Sequence, residues 1–205
     1  MTNHKPDIRK SSTCPPCPPT AKAWEKCIYW LGIGLGSGLP KRAAGTWGTV
    51  GGLIVAMPML MLGFWGFLAI TIVGCLVGSY ICGKTSDLMG VHDDPHIVWD
   101  EWVGMWTSLL PTAWIMNEFL KSGSPDKMGW QYIHPSLLFL FIIPFVLFRF
   151  FDIVKPFPIK WVDKNVSGGF GILIDDVLAG VMAGSIMMIL LETVFKVHVI
   201  GNFVG

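Results

Sequence analysis

The stretch VGGLIVAMPMLMLGFWGFLAITIVGCLVGSYIC, residues 50–82, contains no charged side chain over 33 residues. The hydrocarbon core of a bilayer is about 30 Å thick, and a helix rising about 1.5 Å per residue crosses it with about 20 apolar residues. The stretch is therefore too long for one crossing. Because Pro58 and Gly63 offer a place to turn, we predict two helices, at about residues 47–62 and 65–83.

The rest of the chain shares this apolar character. Hydrophobic residues make up 52% of the 205 residues, charged residues only 14%, and the mean hydropathy is +0.56. We expect two further crossings, at 132–151 and 172–191. The Trp-rich stretch 97–116 carries two acids, and we expect it to cross as well, with a re-entrant or interfacial helix as the open alternative. The prediction is an all-α, polytopic membrane bundle of about four to five membrane helices.

Basic residues indicate how this bundle is oriented, because short cytoplasmic loops are rich in Lys and Arg. Three basic residues fall on the predicted outer side: Lys121, Lys127 and Lys196. Seven fall on the predicted cytoplasmic side: Lys41, Arg42, Lys84, Arg149, Lys155, Lys160 and Lys164.

The N-terminal residues 1–23 are polar and proline-rich, and they lack the apolar core of a secretory signal. We expect a flexible cytoplasmic tail there, followed by one membrane-embedded domain over 24–205. Cys14 and Cys17 form a C-x-x-C motif without a second ligand pair, which disfavours a zinc site. The net charge of +1 gives no support for a nucleic-acid partner, and the sequence leaves the oligomeric state open.

Eight of the fourteen acidic residues lie in three short patches on the predicted cytoplasmic side: Asp93, Asp94, Asp100 and Glu101; Asp152 and Asp163; Asp175 and Asp176. A carboxylate at the bilayer centre costs about 2.5 to 3.5 kcal/mol, so acids inside apolar segments normally mark a site or a pathway. Five of these groups at three helix ends predict a Mg²⁺ site, because Mg²⁺ prefers carboxylate oxygens. Solvated helix caps are the alternative, and they suit Asp93 and Asp94. His92 and His96 flank the acids as expected structural or supporting groups.

A phosphate ligand needs positive groups and free backbone amides as well. Arg149, Asp152 and Lys155 recur every three residues, and a helix would place them on one face before Pro156 stops it. Ordinary cytoplasmic placement is the alternative for Lys155. The glycine-rich segment 34–52 is not a P-loop, but a helix starting near its Thr46 would point amides at the same surface.

Four segments, in this order, resemble the bacterial phosphatidylglycerophosphatase A family over about residues 34–184: GLGSGLPKRAAGTWGT, HDDPHIVWDEWVGMW, FRFFDIVKPFPIKWVD and GGFGILIDDVLAG. The resemblance implies a Mg²⁺-dependent, multi-pass enzyme of the bacterial inner membrane with a cytoplasmic active site. Its substrate would be the membrane phospholipid phosphatidylglycerophosphate, and its products phosphatidylglycerol and inorganic phosphate. Ala44 and Thr49 depart from the family, which commonly has proline and serine at these positions.

Site residues follow from the same resemblance. The implied metal ligands are Asp100, Glu101, Asp152, Asp175 and Asp176, and the implied catalytic residues are these five together with Lys155. The implied phosphate-binding residues are Gly45, Thr46, Gly48, Arg149 and Lys155. Attack by water and a covalent aspartyl phosphate remain alternative mechanisms. A phosphatase for another lipid phosphomonoester remains an alternative function. A transporter also remains, although we find no internal repeat and the acids lie at predicted helix ends.

Overall fold

The structure, a computed structural model, describes residues 13–91, 94–121 and 130–204, with side chains described for 13–91, 94–118 and 139–193. Within these ranges the regular elements are all helical, which confirms the predicted all-α class. The helices are α1 (Ala23–Gly32), α2 (Ala44–Leu60), α3 (Gly63–Met89), α4 (Trp99–Ser108), α5 (Leu110–Lys121), α6 (Trp130–Val154), α7 (Ile159–Asn165) and α8 (Gly168–Val204), with a 3₁₀ turn at Gly34–Gly36.

Two stretches of the described chain are long and apolar enough to cross a membrane. They are α3 and the Gly168–Thr193 part of α8, and each contains an 18-residue window with a mean hydropathy of 1.9. Helix α2 is apolar but has only 17 residues. The total of four to five membrane helices stays a prediction.

The charge-free stretch forms two helices, as its length predicted. Helix α2 ends at Leu60 and α3 begins at Gly63, so the turn lies three residues after Pro58. Gly63 has a φ of +73°, in the left-handed region where a side chain is strained. Glycine therefore lets the chain reverse at this position without the steric strain that a side chain would cause.

The stretch 97–116 forms two short helices instead of one long one. The amide of Leu109, between α4 and α5, donates to the carbonyls of both Met105 and Trp106 at 3.1 Å. Pro111 follows, and it has no N–H to continue the ladder. Whether this pair of helices crosses the membrane or re-enters stays a prediction.

Helix α4 lies in the core of the bundle, where aromatic side chains anchor it to its neighbours. The rings of Trp99, Trp102 and Trp106 are buried, with centroids 5.9 to 6.0 Å apart. Trp106 donates its indole N–H to the carbonyl of Gly52 in α2 at 2.9 Å. A buried indole N–H needs such an acceptor, so this hydrogen bond helps to fix α4 in position.

Close backbone packing joins α4 to α8. A Cβ atom added to Gly180 of α8 would collide with the carbonyl oxygen of Gly104 in α4. One added to Gly104 would lie 2.8 Å from the carbonyl oxygen of Asp176. Two glycines therefore allow the helices to approach at backbone distance, as in membrane bundles.

The described end of the proline-rich segment packs against α1. The hydroxyl of Tyr29 donates to the carbonyl of Pro15 at 2.7 Å, and it lies 3.4 Å from the thiol of Cys14. The five cysteines, which all lie in the described part of the chain, are free thiols. The flexible tail over 1–23 and the domain boundary after it stay predictions, and residues 1–12 lie outside the described part.

Candidate active site

Three carboxylates from two helices meet between α4 and α8. Asp100 and Glu101 lie in the first turn of α4, and Asp176 lies in the third turn of α8. Each offers one oxygen atom, and these three atoms all lie within 4.8 Å of one another. Asp100 and Asp176 are buried, with 8% and 5% of their surface exposed. The predicted convergence of these distant acids is present in the structure.

A third helix adds a carboxylate and a guanidinium. Asp152, near the end of α6, lies beside Asp176 and interacts with Glu101. Arg149 contacts Asp152 through Nη1 and Oδ2 at 2.6 Å, and both side chains are mostly buried. These residues share one helix face, as their three-residue spacing predicted.

The first turn of α2 closes the cluster from another side. A Cβ atom added to Gly45 would lie 2.5 Å from Oε1 of Glu101 and 3.3 Å from Nη1 of Arg149. Only a glycine lets the α2 backbone approach both groups this closely. A helix leaves its first amides without intrahelical partners, so this turn brings free N–H donors to the site.

Thr49 is a site residue that sequence reasoning missed. It is fully buried, its hydroxyl donates to the carbonyl of Gly45 at 2.8 Å, and it accepts a contact from Nη1 of Arg149 at 3.4 Å. Its position one helical turn after Gly45 in the sequence could have indicated that it lies on the same helix face. The other residues predicted for this loop lie less centrally: Thr46 is half-buried, and Gly48 packs its backbone against Val98. Phosphate binding by Thr46 and Gly48 stays a prediction.

Lys155 joins the site from just beyond α6. The helix ends at Val154, and Lys155 has a φ of +45°, a left-handed conformation that is uncommon for a side-chain-bearing residue. Its ammonium contacts Asp175 at 2.6 Å and Asp163 at 2.7 Å. Partial burial lowers the pKa of Lys155, but the two carboxylates outweigh it and hold that pKa above the ordinary value. The group therefore stays protonated at physiological pH.

The five predicted ligand carboxylates exceed the positive groups beside them. Asp175 lies within electrostatic reach of Asp100 and Asp152, so all five form one negative field. Arg149 and Lys155 carry two positive charges against these five, and Lys155 also contacts Asp163, so at least three negative charges remain uncompensated. Like charges held in a buried site repel one another strongly unless a cation joins them.

The donor set fits a divalent cation of the size of Mg²⁺. In an octahedral Mg²⁺ shell with bonds of about 2.1 Å, neighbouring oxygens are about 3.0 Å apart and opposite oxygens about 4.2 Å. The three oxygens, all within 4.8 Å of one another, are close enough for side-chain adjustments to bring them around one ion. Oε2 of Glu101 is buried and has no hydrogen-bond partner among the residues that the structure describes, as is expected of a carboxylate shaped to bind a further group.

A buried Asp94–His96 pair supports the loop before α4. Nδ1 of His96 lies 2.6 Å from Oδ1 of Asp94, and the same carboxylate oxygen accepts the amide of His96 at 3.0 Å. Both residues are 2% exposed. The pair precedes Asp100 by only a few residues, so it helps to fix where α4 begins. His92 and Asp93 lie outside the described residues.

Comparisons with known proteins match most of the chain. The model of the family Phosphatidylglycerophosphatase A matches residues 30–191. Phosphatidylglycerophosphatase A of Haemophilus influenzae is 43% identical over 76% of this chain and 83% of its own length. Phosphatidylglycerophosphatase A of Escherichia coli is 37% identical over 78% of this chain and 80% of its own length. A relative from Bacteroides thetaiotaomicron, 33% identical over 74% of this chain and 85% of its own length, carries the words phosphatidylinositol-3-phosphatase in its name. No solved structure gives a significant match.

Proposed function

Because the chain belongs to the phosphatidylglycerophosphatase A family of phosphoric monoester hydrolases, we propose that it removes the terminal phosphate of phosphatidylglycerophosphate. The products are phosphatidylglycerol and inorganic phosphate, and the reaction is a step of phospholipid biosynthesis. We place the enzyme as a multi-pass protein in the bacterial inner membrane, with its site facing the cytoplasm. The excess of Lys and Arg at that end of the bundle supports this orientation.

One observation carries the proposal: carboxylates from α4, α6 and α8 converge with two cationic side chains in one buried cluster. A phosphate monoester is hydrolysed very slowly without a catalyst, and most of the acceleration must come from positioning and charge neutralisation. Carboxylates alone would repel the substrate phosphate. Together with a divalent cation, Arg149 and Lys155, they form a site that attracts it.

Asp100, Glu101 and Asp176 would hold Mg²⁺, and Asp152 and Asp175 lie close enough to complete its surroundings. When bound, the ion supplies positive charge to the phosphoryl oxygens and lowers the free energy of the negatively charged transition state. Either water or an aspartate carboxylate would attack the phosphorus.

The remaining residues bind and orient the phosphate. Arg149 offers a planar, always charged set of N–H donors, and Thr49 and Asp152 hold that guanidinium in place. The free amides at the start of α2 add donors beside Gly45. Lys155 stays protonated and contributes a fixed positive charge on the α8 side of the cluster.

Phosphate release from pure protein in mixed micelles tests this function. We expect release from phosphatidylglycerophosphate that requires Mg²⁺ and stops with a chelator. Asp176→Asn should lower kcat by at least about 10³-fold, whereas Asp87→Asn, at an exposed acid of α3, should leave kcat unchanged. Near-normal turnover by the Asp176 variant would remove that residue from the mechanism. Release from phosphatidic acid or phosphatidylinositol 3-phosphate, without release from phosphatidylglycerophosphate, would favour the alternative lipid phosphatase.

A further inference from the structure

Asp163 is an exposed acid that makes a defined contact with the candidate active site. It lies in α7, and 41% of its side chain is exposed. Its Oδ1 contacts Nζ of Lys155 at 2.7 Å. An ion pair at this exposure contributes at most about 1 kcal/mol to the free energy of folding. Its main effect is therefore on where the Lys155 ammonium lies.

Lys155 depends on such contacts because its backbone is strained. A φ of +45° is in the left-handed region, which costs about 1 to 3 kcal/mol and persists only where the surroundings impose it. The side chain is also a flexible four-carbon stem. Two carboxylates from different helices hold its end, Asp163 at 2.7 Å and Asp175 at 2.6 Å. Together they restrict the ammonium more than either acid alone.

The two anchors of Lys155 differ in what else they bind. Asp175 is a proposed ligand of the cation, and a carboxylate shared with a divalent ion holds the ammonium less strongly. The ion also repels the ammonium, because both are positive. Asp163 lies outside the proposed ligand set, so its contact with Lys155 does not compete with cation binding. It is therefore the anchor that can hold Lys155 while the cation and the phosphate are bound.

Helix α7 fixes the position of Asp163. Ile159, at the start of the helix, is fully buried and anchors α7 in the bundle. The amides of Trp161 and Val162 donate to the carbonyl of Pro158 at 3.0 and 3.1 Å. The acid thus extends from an anchored helix, eight positions after the lysine that it contacts.

We propose that Asp163 is a positioning residue, which holds the ammonium of Lys155 where it meets the terminal phosphate of the substrate. The inference rests on the proposed function, in which Lys155 supplies a fixed positive charge. Asp163 acts through Lys155 and does not itself bind the phosphate, because both are negative. Acting only as a charge, Asp163 would repel the phosphate, and its removal would strengthen phosphate binding. Acting as a positioning residue, it strengthens binding, so the two roles predict opposite signs.

Asp163→Asn tests the sign, since it keeps the shape of the side chain and removes its charge. We expect kcat in mixed micelles to fall by about tenfold, because a displacement of about 1 Å in a positioning site costs up to about 10²-fold. The Kd of inorganic phosphate in the presence of Mg²⁺, measured by titration calorimetry, should rise by about threefold. Asp163→Glu keeps a carboxylate and should retain kcat within about threefold.

Lys164→Gln is the matched control. Lys164 is the next residue of α7, it is also exposed, and its substitution also changes the net charge by one. We expect kcat and the Kd of phosphate to stay within about twofold of the unaltered protein. All three variants change exposed side chains, so their midpoints of thermal denaturation in detergent should equal that of the unaltered protein.

A double variant tests whether Asp163 acts through Lys155. In a chain that carries Lys155→Ala, adding Asp163→Asn should no longer raise the Kd of inorganic phosphate, because the group that Asp163 positions is absent. Phosphate binding requires no turnover, so the comparison holds for a chain that is inactive.

The possible failures are distinguishable. An Asp163→Asn variant with kcat within about twofold of the unaltered protein, or with tighter phosphate binding, would overturn the proposal and leave the phosphatase function in place. An equal rise in Kd with and without the Lys155 side chain would also overturn it, because Asp163 would then act independently. Absence of phosphate release from every lipid phosphate by the unaltered protein would instead refute the proposed function.

Discussion

Replacing Gly45 with alanine should disable the site without unfolding the protein. The added Cβ would lie 2.5 Å from Oε1 of Glu101, whereas ordinary contacts begin at about 3.4 Å. The carboxylate must therefore move by about 0.9 Å. Because this oxygen is the far end of a flexible side chain, the move costs little folding free energy. In a site that positions reacting groups, however, a displacement of about 1 Å costs about 10²-fold in rate.

Gly184 in α8 provides the matched control. A Cβ there would meet its nearest neighbours at 3.4 to 3.7 Å, which is ordinary contact. Both substitutions replace a helical glycine by alanine, which favours the helix by up to about 1 kcal/mol. We therefore expect similar or higher thermal stability in both variants, with a loss of about 10- to 100-fold in kcat only for Gly45→Ala.

The assay is steady-state phosphate release in mixed micelles as a function of Mg²⁺ concentration. We expect Gly45→Ala to need more Mg²⁺ for half-maximal activity, because it displaces a proposed ligand. Activity of Gly45→Ala within about twofold of the Gly184→Ala variant would refute this role of Gly45. A fall in both variants would point to helix packing and not to the position of Glu101.

Three further predictions concern the cationic side of the site. Lys155→Gly and Lys155→Ala should both lose activity. In thermal denaturation in detergent, the glycine variant should be more stable by about 1 kcal/mol, because glycine adopts the positive φ without strain. Equal stability of the two variants would mean that this φ carries no strain. Arg149→Lys keeps the positive charge but loses the planar set of N–H donors. We expect kcat/KM to fall by about 10- to 100-fold in the phosphate-release assay. An unchanged kcat/KM would show that the substrate phosphate is not bound by two of these donors at once. Thr49→Val removes the hydroxyl that contacts Arg149 and should lower kcat by about two- to tenfold in the same assay. Thr49→Ser keeps a hydroxyl and should retain the original kcat. Equal rates in the two variants would show that the hydroxyl does not contribute to the rate.

Local patterns predicted much of the fold. The charge-free residues 50–82 had to form two helices because of their length alone, and Pro58 and Gly63 placed the turn. The break at Leu109 was not predicted, because the apolar character of 97–116 continues through it. Pro111 was the available signal, but a proline near the first turn of a helix is common and does not by itself indicate a break.

The residues of the site could be predicted from the sequence, but most of the contacts between them could not. The spacing of Arg149 and Asp152 specifies a shared helix face, so their ion pair followed from the sequence. The left-handed backbone at Lys155 did not follow, because a lysine seldom adopts it and only tertiary contacts impose it. The contact between Gly45 and Glu101 joins segments 56 positions apart, and no local periodicity encodes such a distance.

The spacing of the carboxylates is a consequence of backbone packing. Gly104 lies one helical turn after Asp100 in α4, and Gly180 lies one turn after Asp176 in α8. These two glycines form the close contact between the helices, so the same contact that sets the distance between the backbones sets the distance between the acids. A cation held by Asp100 and Asp176 would in turn oppose the repulsion that their charges exert at this crossing. We therefore expect a bound cation to stabilise the packing of α4 against α8, because it offsets the repulsion between the acids. The packing in turn stabilises cation binding, because it holds the acids close together.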